Sequence, residues 1–362
     1  MLSKEPKLVL IKATKLKSFG RRRSNSFWFP EGIRFGKRYT TKHIYTKRLY
    51  ILWLLTLLFL SFLIYNFLAY EYQILHICHN NIHRQQIRYD KNGEIEERDQ
   101  LDRRLPKCII IGVRKCGTRA LLEFLSIHPS VKKASDEVHF FDDNSKYSLG
   151  FDWYRKQMPY SLPNEVTIEK SPAYFVTDSV PQRIYQMNAS TKLIIIVRDP
   201  VTRLVSDYAQ LAANKANKNR QMASFEDLIL VNGDKINTSY KAIRIGIYAM
   251  FYSRWTQVFP KSQVHVVDGD RLVYDPFPEV QKVEQFLGLS HRISRENFSY
   301  NSTKGFFCVR FNGTSDKCLN ESKGRRHPQI DPQVIQRLRR FYASHNRLFY
   351  QLVGKDFGWP EF

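Results

Sequence analysis

The sequence predicts an α/β domain, three-layered and P-loop-like with a central parallel sheet, preceded by a single transmembrane helix. Three observations carry this: short apolar runs rich in β-branched residues, helix-like stretches between them, and one long uncharged run near the N-terminus. The apolar runs are KCIIIGV (107–113), EVTIEK (165–170), KLIIIVRD (192–199) and QVHVVDGD (263–270). Continuous rather than alternating, they read as strands buried on both faces. Between them lie RALLEFLSIH, VPQRIYQMN, PVTRLVSDYAQLAANKA and PFPEVQKVEQFLG, and DPQVIQRLRRFYASHNRLFYQLVG closes the chain. Strands alternating with helices imply a parallel sheet covered on both sides.

The uncharged run is residues 49–70, LYILWLLTLLFLSFLIYNFLAY. At about 1.5 Å per residue it spans a hydrocarbon core of about 30 Å. Tyr50, Trp53, Tyr65 and Tyr70 stand towards its ends, where amphipathic rings favour the headgroup region. A buried core helix fits less well because the run is apolar all round, and a cleavable signal peptide fits less well because 48 residues precede it. Six Lys/Arg lie in the twenty residues before the run and two, Arg84 and Arg88, in the twenty after. The positive-inside rule then gives a type II, single-pass anchor: a cytosolic basic tail (1–48), a span (49–70), a polar stem (71–105) and a lumenal domain (106–362).

The 362 residues carry a formal net charge of +23, with 14 Lys/Arg against two acids in residues 1–48 and an excess of eleven basic residues in the rest. Sequons at Asn188, Asn237, Asn297, Asn301, Asn312 and Asn320 are weak support for a lumenal glycoprotein. Of five cysteines, Cys308 and Cys318 bracket CVRFNGTSDKC, which suits a disulfide-closed hairpin in an oxidising compartment. No CxxC or Cys/His spacing indicates zinc, so no metal is expected.

Gly112-Val113-Arg114-Lys115-Cys116-Gly117-Thr118 joins the first strand to the first helix. Glycines admit close approach of an anion to the backbone, and amides at a helix start point towards it. Lys115 adds a mobile cation and Thr118 a hydroxyl donor. A strand–glycine loop–helix is also a common structural connection, and this stretch alone does not decide. A Walker loop requires lysine directly before the hydroxyl residue; here that place is Gly117. The loop therefore suits a single 5′-phosphate better than a triphosphate, which disfavours a kinase or NTPase. Arg198 at a strand end and Ser206 eight residues later suit a second phosphate, and Lys323-Gly324-Arg325 sets two cations around a flexible residue.

In combination, IIIGVRKCGTRALLEFL, EVHFFDD, IEKSPAYF, LIIIVRDPVTRLVSDYAQ, HVVDGDRL, DPFPEVQKVEQFL, TKGFFCVRFN and ESKGRRHPQIDP resemble the heparan sulfate glucosamine 3-O-sulfotransferases, over Leu105 to Pro360. The resemblance implies a Golgi-membrane enzyme with 3′-phosphoadenosine 5′-phosphosulfate (PAPS) as donor, heparan sulfate as acceptor and no metal. It implies Glu137 as general base and Lys115 as the cation at the leaving 5′-phosphate, with His139 beside them. Gly117, Thr118 and Arg119 complete the phosphate loop, Arg198 and Ser206 hold the 3′-phosphate, and Lys323, Gly324 and Arg325 make late donor contacts. Arg119, His139, Asp142, Lys170 and Gln210 line the acceptor cleft, and Cys308–Cys318 is the disulfide. Two departures stand out: Cys116 where the family usually has glycine, and Asn320 where it often has histidine. A side chain at 116 either crowds the loop or tucks into the core.

The chemistry is consistent with these roles. Sulfuryl transfer sends charge towards the 5′-phosphate, where a cation must wait, and a carboxylate assists an attacking alcohol. A basic lumenal cleft concentrates a polyanionic polysaccharide; nucleic acid is the rival polyanion, but a lumenal domain does not meet it. Two other readings remain: a sulfotransferase for another carbohydrate position or a protein tyrosine, and a non-catalytic polysaccharide-binding membrane protein.

Overall fold

The structure, a computed structural model, describes residues 53–69, 101–311, 315–319, 325 and 327–362. The chain divides into two units, Met1–Glu96 and Glu97–Phe362. In the first, residues 53–69 are helical with every side chain exposed. Among the described residues no helix is long and apolar enough to cross a membrane. The ends of the 49–70 run, the basic tail and the stem up to residue 100 lie outside the described residues.

The second unit is built on five parallel strands: β1 (Cys108–Gly112), β2 (Val131–Lys133), β3 (Val166–Lys170), β4 (Lys192–Val197) and β5 (Val264–Asp268). Their order is β2-β3-β1-β4-β5. Four match the apolar runs; β2, three residues long and at the sheet edge, has too few residues for a periodic signal. β1 and β3 are buried along their whole length, as expected of strands covered on both faces. The chain leaves β1 towards β3 on one side, and β4 then falls on the other. The strand order thus reverses at β1, and a crevice opens at the carboxyl ends of the strands around it.

Seven of the helices among the described residues are α1 (Thr118–Leu125), α2 (Val180–Met187), α3 (Pro200–Ala216), α4 (Tyr248–Thr256), α5 (Gly269–Tyr274), α6 (Pro276–Leu287) and α7 (Pro332–Val353). Their ends obey local chemistry. Asp199 accepts from the Val201 and Thr202 amides and Pro200 opens α3, while Asp331 and Pro332 do the same for α7. Gly288 and Gly354 end α6 and α7 in the left-handed region, at φ 76° each. Sequence periodicity does not reveal α4, because Tyr248, Ala249, Phe251, Tyr252 and Trp255 leave it buried on more than one face. Trp255 is fully buried, and its indole N–H donates to the Phe175 carbonyl at 3.0 Å.

A small antiparallel sheet, β6 (Phe298–Asn301), β7 (Phe306–Phe311) and β8 (Ser315–Lys317), comes next in the chain. Its hairpin carries the Cys308–Cys318 disulfide that the sequence suggested, with Cα atoms 4.4 Å apart.

At Gly269 β5 turns directly into α5, and a Cβ there would stand 2.4 Å from the Cys116 carbonyl oxygen and 2.8 Å from that of Val197. Both neighbours are backbone atoms and cannot rotate away. Gly269→Ala should therefore cost about 1–3 kcal/mol of stability, read as a lower urea midpoint at unchanged slope. A midpoint equal to that of the unaltered protein would mean that the loop does not approach this closely.

Candidate active site

The loop after β1 occupies the switch point. Gly117, at φ 105°, takes a conformation that only glycine adopts cheaply, and it opens α1 without a side-chain cap. The first amides of α1 thus face the crevice with their dipole behind them. Lys115 also lies in the left-handed region, at φ 73°, which is uncommon for a residue with a Cβ. Cys116 turns the other way and is fully buried, its Sγ 3.7 Å from the Tyr248 hydroxyl. Burial pushes its thiol up to about 11. The side chain therefore tucks into the core and does not crowd the anion site.

One ion pair ties this loop to α3, and a second, within the helix, braces it. Arg114 Nε donates to Asp207 at 2.8 Å, and the other Asp207 oxygen accepts from the fully buried Arg203 at 3.1 Å. Arg203 also donates to the Ala242 carbonyl. One turn after Asp207, Gln210 Oε1 accepts from Arg325 at 2.7 Å and from Lys115 Nζ at 3.5 Å, while its amide donates to Asn214 at 2.8 Å. Gln210, expected on the acceptor side, thus joins two donor-side cations. Ser206 is half-buried one turn earlier on the same face of α3.

Arg198, at the end of β4, is held by Asp270 at 2.8 Å, and the second Asp270 oxygen accepts the Asp199 amide at 2.8 Å. Beside it lies a cleft lined by Cys116, Gly117, Ala120, Phe124, Arg198, Gly269, Leu272, Val273, Phe306, Phe307 and Leu319. Its polar edge is the loop and Arg198; its wall is aliphatic and aromatic. Sequence reasoning missed this wall, because Leu272 and Phe307 carry no chemical signature until the fold brings them together. It also missed His327, whose imidazole is lowered by desolvation and by the Arg198 and Lys115 cations. Lys323 and Gly324 lie outside the described residues.

The second half of the site lies at the end of β3, the strand beside β1. Lys170 pairs in register with Ile110. Its side chain is almost wholly buried and donates to Glu137. His139 Nε2 lies 3.5 Å from the other Glu137 oxygen, and its Nδ1 lies 2.9 Å from Asp142. A carboxylate only accepts, so Nδ1 carries a proton there. Glu137, His139, Asp142 and Lys170 are therefore one connected cluster. Arg119 lies at the margin, paired with Glu123 at 3.0 Å and reaching the Ser135 carbonyl at 3.4 Å.

The arrangement sets cations and a helix start beside an aromatic cleft, one strand away from an oriented carboxylate. It suits transfer of a group from a phosphate-bearing donor to an acceptor that loses a proton. Known proteins share both sequence and fold with it. The sulfotransferase domain model matches residues 105–352. Heparan sulfate glucosamine 3-O-sulfotransferase 5 of Mus musculus is 54% identical over 261 residues, covering 72% of this chain and 75% of that protein. Heparan sulfate glucosamine 3-O-sulfotransferase 6 of Homo sapiens is 46% identical over 260 residues, covering 71% and 74%. The crystal structure of a sulfotransferase from Alicyclobacillus acidocaldarius superposes with a TM-score of 0.51 over 70% of this chain and 97% of that one, at 23% identity, which shows the shared fold. With more than half of the residues identical across three quarters of the mouse protein's length, the chain belongs to the sulfotransferase family, among the heparan sulfate glucosamine 3-O-sulfotransferases.

Proposed function

We propose that this protein transfers a sulfuryl group from PAPS to the 3-hydroxyl of glucosamine residues in heparan sulfate. The observation that carries the reading is the juxtaposition at the ends of two adjacent strands: the Lys115 loop after β1 and the Lys170-bound Glu137 beside β3.

The residues present fit the donor. The loop amides and Lys115 suit its 5′-phosphate, and Arg198 with Ser206 suits the 3′-phosphate. The wall formed by Leu272, Phe306 and Phe307 suits the face of a nucleobase. PAPS supplies an activated sulfuryl group whose departure leaves negative charge on the nucleotide. Lys115 meets that charge, and Arg325, sharing Gln210 with it, adds a second cation to the same edge. On the acceptor side Glu137 takes the hydroxyl proton. Lys170 donates to one of its oxygens, which fixes the direction in which the carboxylate faces, and His139 lies 3.5 Å from the other. The excess of basic residues outside the tail suits a sulfated polysaccharide and makes its binding weaken as salt rises.

We further infer that residues 49–70 anchor the protein in the Golgi membrane, with residues 1–48 cytosolic, 71–105 a stem and 106–362 lumenal. The length and apolarity of the run, its flanking charges and the exposed apolar helix at 53–69 support this. Asn188, exposed at the end of α2, suits a glycan. Protease added to sealed Golgi vesicles should remove the tail and spare the domain; loss of the domain would reverse the orientation.

Full-length protein given labelled PAPS and heparan sulfate should yield product whose disaccharides carry the new sulfate on the glucosamine 3-oxygen. Label on another position, or on protein tyrosine, would reassign the acceptor. Glu137→Gln should lower kcat about 10²–10⁴-fold with little change in melting temperature, and Lys115→Ala about 10²–10³-fold. Arg198→Ala should weaken binding of the product nucleotide PAP about tenfold or more, as loss of a charge-assisted contact does. Undiminished turnover in Glu137→Gln would remove the proposed base.

A further inference from the structure

The segment Glu137–Phe141 carries the acceptor-side chemistry but belongs to no helix or strand, so its amides must find partners elsewhere. They find buried side chains. The Val138 amide donates to the Glu169 carboxylate, the His139 amide to Ser171 Oγ at 3.1 Å, and the Phe140 and Phe141 amides to the Tyr174 hydroxyl at 3.0 and 3.5 Å. Those groups in turn converge. Ser171 Oγ donates to Glu169 Oε1 at 2.5 Å, and the Tyr154 hydroxyl donates to Glu169 Oε2 at 3.2 Å. Tyr174 also bonds the Ser171 side chain. Glu169, Ser171, Tyr154 and Tyr174 are all completely buried.

Alternation along β3 explains the division of labour. Glu169 and Ser171, two residues apart, face one side of the sheet, and Lys170 between them faces the other. Lys170 takes the Glu137 side chain, while Glu169 and Ser171 take the backbone that bears it. His139 sits at φ 53°, a left-handed conformation that persists in a non-glycine residue only where its surroundings impose it. A fully buried carboxyl group in a strand is expensive for the fold alone, since an aliphatic residue would carry no desolvation cost. Burial pushes the Glu169 carboxyl up to about 7, against the opposing hydrogen bonds from Ser171, Tyr154 and Val138.

We propose that Glu169 is a positioning residue for sulfuryl transfer, acting through Ser171 and the 138–141 amides to set where Glu137 and His139 stand relative to the acceptor hydroxyl. This rests on Glu137 being the base. Glu169 is completely buried, and Lys115, on the donor side of that reading, bonds to Gln210 of α3.

The test compares full-length Glu169→Gln, Ser171→Ala and Glu137→Gln proteins in detergent. It measures kcat, KM for heparan sulfate, affinity for PAP, melting temperature and amide hydrogen exchange. Glu169→Gln keeps the size of the side chain; it should lower kcat about ten- to hundredfold and leave PAP affinity within about twofold, as displacement of a reacting group does. Exchange should quicken in the peptide covering 137–141 while β1 and β4 stay protected. Ser171→Ala should move the same readouts in the same direction, and it decides the matter if Glu169→Gln does not fold. Unchanged kcat in both, or a loss that tracks PAP affinity or global protection, would overturn the positioning role. Glu137→Gln separates the two ideas: if it turns over normally, the base assignment fails. If it is inactive while Glu169→Gln and Ser171→Ala are fully active, only the positioning role fails.

Discussion

A parallel sheet buried on both faces leaves charged side chains little place except at strand ends, and the candidate site derives from that constraint. β1 is apolar up to Gly112, where the chain enters the Lys115 loop, and β3 carries its charged groups, Glu169 and Lys170, at its carboxyl end. The strand order reverses at β1 and β3 lies directly beside it, so both exits fall at the same carboxyl edge of the sheet. The Lys115 loop and the Lys170–Glu137 pair thus lie at the ends of adjacent strands, the placement on which the proposed transfer between a donor and an acceptor rests.

Within that frame the Lys115 side of the site is fixed by charge. Asp207 stands between Arg203 and Arg114, so the phosphate loop cannot move without α3. Arg203 is fully buried, and a buried ion pair of this kind is weak evidence for stability because desolvation offsets attraction. Its consequence is geometric: α3 brings Ser206 and Gln210 to the loop at a set height. Gln210 then presents one neutral acceptor to two cations, which holds Lys115 and Arg325 near each other.

The acceptor half is fixed by hydrogen bonds from a segment that has no secondary structure of its own. The two halves therefore differ in how they resist deformation: one through ion pairs and a helix, the other through a buried polar network that loses its value if any member is missing. Cys116 shows the tolerance of the first. A side chain in place of the usual glycine is accommodated because it points into the core against Tyr248, which itself donates to the Arg198 carbonyl at 2.9 Å.

Much was legible in the order of residues wherever the signal is local. Continuous β-branched runs identified four of the five parallel strands, because a strand buried on both faces must be apolar throughout. Proline and aspartate marked the starts of α3 and α7, and the Cys308–Cys318 spacing marked the hairpin. The order of glycines and Lys115 after the first strand disfavoured an NTPase loop. Other features had no local signal. α4 is buried on more than one face, and β2 is three residues long. Lys170 and Glu137 are 33 residues apart, and Gln210 lies 95 residues from Lys115 and 115 from Arg325. Such pairings depend on strand order and helix register, which no single segment encodes. Local patterns alone therefore specified the sheet, the loop and the chemical types available. Which carboxylate meets which cation was settled only in three dimensions, by the packing of distant segments around one switch point.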